Sequence, residues 1–265
     1  MRVLLTRPEG KNEALAELLA PLVEPVVEFV GWQSVIDIVA GPDVTLISDY
    51  LAQKPQVLIF VSINAVTFLR QAIEVMEGAR IDIEILENCQ LVAVGQSTAK
   101  TLQQWLNRSV ITPQVETSEG LLEVDMLQKV AISDKKVTIV RGVGGRELLA
   151  EKLTERGATV NYWQVYQRQA MQGQGESWFE QFQTWQIDTI VVTSIAIAHA
   201  LINGLPTKAK PWWQKCRWVC ASSRIAEFIE RQEVPNNQIY VANGANNAAI
   251  LQQVKKINED HDVQA

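Results

Sequence analysis

Three segments of the chain occur twice, each time as a short apolar run with similar residues after it. Internal similarity of this kind indicates that one structural plan is used more than once. The chain is therefore expected to contain two related α/β units. The matching pairs are residues 57–66 (VLIFVSINAV) with 189–198 (TIVVTSIAIA), residues 91–99 (LVAVGQSTA) with 218–225 (WVCASSRI), and residues 3–10 (VLLTRPEG) with 137–144 (VTIVRGVG).

Each of these apolar runs leads through a small or polar turn into a helical pattern. Alternation of this type is typical of βα units with a parallel sheet. Continuous apolar strands suit a sheet that helices cover on both faces. The strands predicted in this way are Val3–Thr6, Val57–Val61, Leu91–Val94, Val137–Val140, Thr189–Val192, Trp218–Cys220 and Ile239–Val241.

Two extended stretches are longer than an ordinary strand. With 265 residues the chain is long enough for two domains. The stretches Val26–Ile38 and Val160–Ala170 both exceed the usual length of about 5–6 residues. Both could therefore leave one domain and enter the other as paired connectors. A tandem split near Ser133 is the competing interpretation, and periodicity alone does not choose between the two.

Charge and hydropathy exclude several classes of protein. The net charge of −6 argues against general nucleic-acid binding, which needs a basic face for the phosphates. No apolar run approaches the roughly 20 residues that a membrane-spanning helix needs. The first residues lack the long apolar region of a secretion signal, so a cytoplasmic protein without membrane contact is expected.

Cysteine and histidine are too few and too scattered to build a metal or triad site. Cys89, Cys216 and Cys220 form no CxxC pair, and buried free thiols are expected. His199 and His261 lie far apart in the sequence, so neither a His-based triad nor a zinc site is predicted.

Six motifs follow one another in an order that resembles the uroporphyrinogen-III synthase family. The match extends over nearly the whole chain, and its specificity comes from the order, because each motif alone is weak. The motifs are Arg7-Pro8, Ser62–Val66, Val94–Ala99, Thr117–Leu122, Arg141–Leu149 and Val165–Arg168.

The resemblance implies an architecture and a reaction. Two flavodoxin-like parallel-sheet lobes are expected, joined by a two-stranded connector, with one discontinuous lobe of residues 1–38 and 168–265 and a second lobe of residues 39–167. The implied reaction closes hydroxymethylbilane into a ring while ring D is reversed and water is lost. The resemblance implies no metal and no organic cofactor. We expect a monomer, with at most transient contact with the preceding pathway enzyme.

The resemblance also marks Tyr166, whose phenol could donate a hydrogen bond to the departing hydroxyl. A tyrosine that packs at the hinge is the alternative. In the last lobe the sequence departs from the family pattern, because Arg224 replaces the usual threonine and Ile195 replaces a frequent proline.

Turns between strands and helices are the predicted contacts for the carboxylates of the substrate. Free backbone N–H groups and the positive end of the helix dipole meet there, at the edge where parallel sheets bind ligands. Serine and threonine are also ordinary helix N-caps, so each hydroxyl has a purely structural alternative. The predicted substrate-binding residues are Arg7, Ser62, Ser97, Thr98, Arg141, Gly142, Gly145, Arg146, Thr193, Ser194, Ser222 and Ser223.

Two other functions are compatible with the same predicted fold. A non-catalytic two-lobed module that binds a small ligand would have the same lobes, and fold alone does not separate it from an enzyme. A flavodoxin-like electron carrier is the third class, and it would need a flavin. Tyr166 favours the enzyme.

Overall fold

The computed structural model describes residues 1–8, 10–20, 27–75, 86 and 88–262. The strands in this part of the chain are β1 (Arg2–Leu5), β2 (Phe29–Trp32), β3 (Ile36–Ala40), β4 (Val57–Phe60), β5 (Gln90–Ala93), β6 (Lys136–Gly142), β7 (Thr159–Ala170), β8 (Thr189–Val192), β9 (Arg217–Cys220) and β10 (Ile239–Val241). The α-helices are α1 (Glu13–Leu19), α2 (Ile47–Ala52), α3 (Ile63–Val75), α4 (Gln96–Leu106), α5 (Ser118–Leu122), α6 (Lys129–Ile132), α7 (Leu148–Glu155), α8 (Gly175–Thr184), α9 (Ile195–Gly204), α10 (Lys210–Trp213), α11 (Ser223–Glu230) and α12 (Asn247–Asp262).

The chain divides into two compact units. The first unit comprises residues 1–37 and 169–265, and the second unit comprises residues 38–168. Each unit has its own five-stranded sheet and its own apolar core. No helix within the described residues has the length and apolar character needed to cross a membrane.

The sheet of the first unit has the flavodoxin strand order. Its strands run β2-β1-β8-β9-β10, which is the order 2-1-3-4-5 along the chain of this unit, and all paired neighbours are parallel. The strands are buried on both faces: Val3, Leu4 and Leu5 of β1 have no exposed surface. The apolar runs of the sequence are therefore central strands covered by helices, as predicted.

The second sheet repeats this plan in a different chain order. Its strands run β3-β7-β6-β4-β5, and the part β7-β6-β4-β5 corresponds to β2-β1-β8-β9. A parallel β-bridge between Val92 and Ile111 occupies the edge position next to β5 that β10 occupies next to β9 in the first sheet. All three predicted sequence pairs occupy matching positions, β1 with β6, β8 with β4 and β9 with β5. In the second unit, however, β6 and β7 come after β4 and β5, so the repeat is circularly permuted.

The two predicted connectors have different structures. The second is one strand, β7, as expected. Within the described residues the first comprises two separate strands, β2 and β3, which belong to different sheets. The chain changes its hydrogen-bonding partner between them, because Gln33 N–H donates to Leu5 O, whereas Val35 O accepts from Met171 N–H. Val26, the predicted start, lies outside the described residues.

Past this change the connector strands pair with each other. The N–H of Gly41 donates to Val165 O, and the N–H of Met171 donates to Val35 O, so the two segments run antiparallel. The other predicted strands agree with the observed ones to within two residues at each end. Cys89, Cys216 and Cys220 are free and buried, which confirms their prediction as core thiols.

Candidate functional site

Each sheet has one place where neighbouring strands send their connections to opposite faces. In a flavodoxin-like order this is the gap between the first and third strands, and ligands bind beside it at the carboxyl ends. The gap lies between β1 and β8 in the first unit and between β6 and β4 in the second. These four strands and the loops after them carry eight of the thirteen predicted site residues.

Tyr166 lies beside this gap in the second unit. It belongs to β7 and pairs with Gly142 of β6, after a register shift that leaves Val165 without a partner in the ladder. A Cβ at residue 142 would come within 2.5 Å of Cε2 of Tyr166, so glycine lets the ring lie on the backbone of β6. The Tyr166 side chain is only 6% exposed, and its ring contacts Phe68 with centroids 6.0 Å apart.

Ser62 fixes the phenol oxygen of Tyr166. Ser62 Oγ accepts a hydrogen bond from Ala65 N–H at 3.1 Å, which caps the start of α3. The same oxygen donates to Tyr166 Oη at 3.1 Å. Either hydroxyl can donate in such a pair, and with Ser62 as the donor the proton of Tyr166 Oη is available for a ligand. The structure thus brings Tyr166 and Ser62 together as a donor with its orienting partner.

A cavity of about 250 Å³ opens next to the Tyr166 ring, within the second unit. Five predicted site residues line it together: Arg141, Gly142, Gly145, Arg146 and Tyr166. Tyr162 and Arg168 also line it, and neither was predicted as a site residue. Three arginine side chains, Arg141, Arg146 and Arg168, therefore meet at one cavity in a chain of net charge −6.

Arg141 is held by its own loop. Its guanidinium donates from Nε to Gly142 O, from Nη1 to Arg146 O and to Glu147 Oε1 at 3.1 Å, and from Nη2 to Gly144 O. The residue as a whole is 7% exposed. Gly145 is required for this packing, because its φ is +108° and a Cβ there would lie 2.6 Å from Nη2 of Arg141.

Tyr162 contacts both Arg141 and its partner Glu147. Its ring lies 4.7 Å from Arg141 Cζ, and its hydroxyl donates to Glu147. Burial, together with the hydrogen bond to Glu147, raises the pKa of Tyr162 to about 12. The same hydrogen bond and the charge of Arg141 lower the pKa of Glu147. Glu147 is therefore an anion that neutralises Arg141 in this structure.

Arg146 and the start of α4 are also engaged by acidic side chains of the second unit. Arg146 Nη1 lies 3.0 Å from Glu119 Oε1. Gln96 N–H, in the first turn of α4, donates to Glu116 Oε1 at 2.9 Å. Ser97 and Thr98 follow Gln96 in α4, and neither lines the cavity.

The first unit holds the remaining predicted residues. Arg7 is 7% exposed, and its guanidinium donates to Asn247 Oδ1 at 2.5 Å and to Ala245 O at 2.7 Å. Desolvation lowers the pKa of Arg7. These bonds connect the segment after β1 with the start of α12, so the Arg7 guanidinium has a structural role in this unit.

The serine turns of the first unit differ in their capping. Ser194 Oγ accepts from Ile197 N–H at 3.2 Å and caps α9, whereas Ser222 at the N-cap of α11 makes no side-chain cap bond. Thr193, which precedes the Ser194 cap, is partly exposed, and Ser223 in the first turn of α11 is exposed. Arg224 is exposed on α11. In the described part of the chain, no group of three or more His, Cys, Asp or Glu side chains is arranged to hold a metal ion.

Comparison with known sequences decides the family. The family model described as "Uroporphyrinogen-III synthase HemD" matches residues 20–252. The uroporphyrinogen-III synthase of Salmonella typhimurium is 32% identical over 256 residues, which cover 95% of this chain and 98% of that protein. The enzyme of Escherichia coli is 30% identical over the same coverage. The chain belongs to the uroporphyrinogen-III synthase family.

Solved uroporphyrinogen-III synthases have the same fold. The Helicobacter pylori structure has a TM-score of 0.58 and covers 97% of this chain and all of the other, at 16% identity. A mutant of the Thermus thermophilus enzyme has a TM-score of 0.54, with 98% of this chain and all of the other covered, also at 16% identity. At such identity the likeness establishes the fold, which confirms the two-lobed α/β architecture predicted for this member of the uroporphyrinogen-III synthase family.

A strand-spacing rule would have found one of the two missed residues. Arg168 lies two residues after Tyr166 on β7, and side chains at this spacing share a face of a strand. The register shift at Val165 breaks the alternation before Tyr166, so Tyr162 packs against a different core cluster from Tyr166. Given Tyr166, this spacing indicates Arg168 as the next side chain on the same face.

Proposed function

We propose that the protein catalyses the cyclisation of hydroxymethylbilane to uroporphyrinogen III, with loss of water and inversion of ring D. The observation that carries this proposal is the family match, which extends over residues 20–252 and so includes parts of both units. The oriented phenol of Tyr166 beside an arginine-lined cavity supports the same reaction.

Tyr166 is the proposed catalytic residue. With Ser62 as the donor in the hydrogen bond between them, the hydroxyl proton of Tyr166 can be donated to the hydroxyl group that leaves the substrate. Departure of that group produces a cationic pyrrole, to which ring D is joined. A general acid at this position acts on the bond that breaks, while the polar turns hold the chain of pyrroles in the folded conformation that ring closure needs.

The carboxylates of the substrate are the proposed ligands of the remaining site residues. Loops at the carboxyl ends of both sheets supply N–H groups, hydroxyls and arginines there, without requiring a basic protein. The proposed binding residues are Arg7, Ser62, Ser97, Thr98, Arg141, Gly142, Gly145, Arg146, Thr193, Ser194, Ser222 and Ser223. We further propose that residues 1–38 with 168–265 and residues 39–167 are the two functional lobes.

The protein is proposed to act as a cytoplasmic monomer, without membrane or nucleic-acid partners and with only transient contact with the enzyme that makes its substrate. A binding module without chemistry is the rival, and membership of an enzyme family speaks against it. No metal or organic cofactor is proposed, because proton transfer and positioning suffice for the reaction.

The test is a coupled assay with freshly made hydroxymethylbilane, after which the products are oxidised and isomers I and III are separated. The purified protein is expected to shift the product from isomer I, which forms without catalysis, to isomer III. The same yield is expected after treatment with EDTA. If only isomer I formed at every protein concentration, the enzymatic function would be rejected and the non-catalytic binding module would remain.

A further inference from the structure

The three arginines of the cavity differ in how many N–H groups they can offer to a ligand. A guanidinium has five N–H donors. In Arg141 four of them already donate to oxygens of its own loop and of Glu147. Its charge is also balanced by Glu147 at 3.1 Å, and its side chain is 8% exposed. Arg141 therefore shapes the cavity and has little left with which to bind.

Arg168 is the opposite case. It lines the cavity and is exposed, and its guanidinium makes no ion pair or hydrogen bond with any other residue that the structure describes. It stands two residues after Tyr166 on β7. All N–H donors of such an unpaired guanidinium are available to a carboxylate, which the guanidinium can bind in a bidentate manner.

Arg146 is intermediate. Its single charged partner in the described chain is Glu119 at 3.0 Å, and both side chains are open to solvent, 75% and 56% exposed. An exposed ion pair of this type adds little to stability, so another carboxylate can replace Glu119 at small cost. Glu119 lies in the first turn of the short helix α5, where its carboxylate also hydrogen-bonds to its own backbone N–H and to Thr117, the N-cap whose hydroxyl accepts from Gly120 N–H.

We propose that Arg168 and Arg146 supply the guanidinium groups that bind carboxylate side arms of the substrate in this cavity, that Arg141 contributes to binding by holding the cavity loop in place, and that Glu119 is an internal carboxylate which Arg146 exchanges for the substrate. The inference rests on the proposed function for the identity of the ligand. Its geometry is independent of that function, since it concerns which cavity arginines are free to meet any polycarboxylate.

Direct binding of uroporphyrin III, an unreactive tetrapyrrole carboxylate, tests the proposal without turnover. Arg168→Gln is expected to raise the Kd about tenfold, as the loss of a charge-assisted bidentate contact does. Glu119→Gln is expected to lower the Kd by a factor of about two to five, because the ligand no longer competes with an exposed ion pair.

A matched control removes the effect of net charge. Glu155→Gln changes the charge of the same unit by the same amount and breaks a comparable exposed pair, Glu155 with Lys152 at 2.7 Å, but neither residue lines the cavity. Its Kd should stay within a factor of about 1.5 of wild type if only distant, screened charge is altered.

The double variant Glu119→Gln/Arg146→Gln identifies the partner. If Glu119→Gln lowers the Kd by releasing Arg146, the decrease in Kd must disappear in the Arg146→Gln background. The same variants in the coupled assay should change KM more than kcat, because these contacts do not involve the reacting bond.

Three results would overturn the inference: unchanged binding by folded Arg168→Gln, equal effects of Glu119→Gln and Glu155→Gln, or a gain that persists without Arg146. Circular dichroism spectra establish that each variant is folded. Failure of the proposed function is a separate result, since wild-type protein would then yield only isomer I, whatever the variants bind.

Discussion

At the scale of single residues, the site of the second unit depends on glycines that let other groups approach. Gly142 gives the Tyr166 ring its place on β6, and Gly145 gives the Arg141 guanidinium its place in the loop. In both positions a Cβ would lie within 2.6 Å of a side chain that lines the cavity. Both glycines therefore determine the shape of the cavity for steric reasons.

Tyr166→Phe should keep the fold and the binding of uroporphyrin III, and should slow the formation of isomer III more than about tenfold, which is about 1.4 kcal/mol in the barrier. Phe retains the ring that packs on Gly142, so only the hydroxyl is removed. The loss should appear in kcat, because the hydrogen bond strengthens as the leaving group departs. The coupled isomer assay measures it.

The control for this prediction is Thr98→Val, which removes a hydroxyl near the start of α4, away from the cavity. It should change KM more than kcat. If Tyr166→Phe turned over at the wild-type rate, Tyr166 would be a packing residue, and catalysis would belong to the positioning turns.

Gly145→Ala should lower activity and stability more than Gly144→Ala. Both glycines have positive φ, so both substitutions carry backbone strain of about 1 kcal/mol. At residue 144 the added Cβ meets nothing within 4 Å, whereas at residue 145 it lies 2.6 Å from Arg141 Nη2. Denaturant unfolding and the isomer assay on the two variants separate strain from steric displacement. Equal effects would show that Arg141 moves aside without cost.

At the scale of elements, the three predicted serines that stand at the N-cap position of a helix fall into two groups. Ser194 and Ser62 accept backbone N–H groups at the starts of α9 and α3, as N-caps do in any protein. Ser222 occupies the N-cap position of α11, and its side chain makes no cap bond. The structural alternative to ligand binding therefore holds for Ser194 and does not hold for Ser222.

Ser194→Ala is expected to lower the free energy of unfolding by about 1 kcal/mol, the usual value of an N-cap. Ser222→Ala should change it by no more than a few tenths of that, because no cap bond is lost. Thermal or urea unfolding measures both. A loss of activity in Ser222→Ala without a loss of stability would therefore report contact with the substrate, whereas an equal loss of stability in the two variants would contradict the assignment.

At the scale of the whole molecule, each unit has what an independent domain needs. The core of the first unit contains Trp178, Phe182 and Trp218, and the cores of the second contain Phe60 and Trp163, with no residue shared between them. The second unit is moreover one continuous segment of the chain, because the permuted order places both connections at its ends. Domains of this size fold alone when their core is complete.

Residues 38–168 expressed alone are therefore expected to fold and to unfold in one cooperative transition, since the core and most of the sheet lie inside this segment. Circular dichroism and urea unfolding provide the test. The matched control is a protein in which residues 1–37 are joined to residues 169–265 through a short glycine-serine linker. A 38–168 fragment without a cooperative transition would show that the units depend on each other.

Much of the fold follows from the chain's local pattern. Apolar runs such as Val57–Phe60 and Thr189–Val192 predict buried parallel strands because both faces of each strand must avoid water. The repeated pairs predict two copies of one plan. The order of the motifs along the chain predicts the family and marks Tyr166, since this order is a property of the sequence that does not depend on the fold.

The tertiary structure alone decided which groups are free. Ser62 meets Tyr166 across 104 residues of sequence, Arg7 meets Asn247 across 240, and Arg146 meets Glu119 across 27. The break between β2 and β3 likewise depends on two different partner strands. A sequence pattern reports the local preference of a residue, but a hydrogen bond or ion pair depends on a partner brought close by folding. For this reason Arg141 and Arg168, alike as sequence letters, differ in the structure as an arginine bound by its own loop and one open to a ligand.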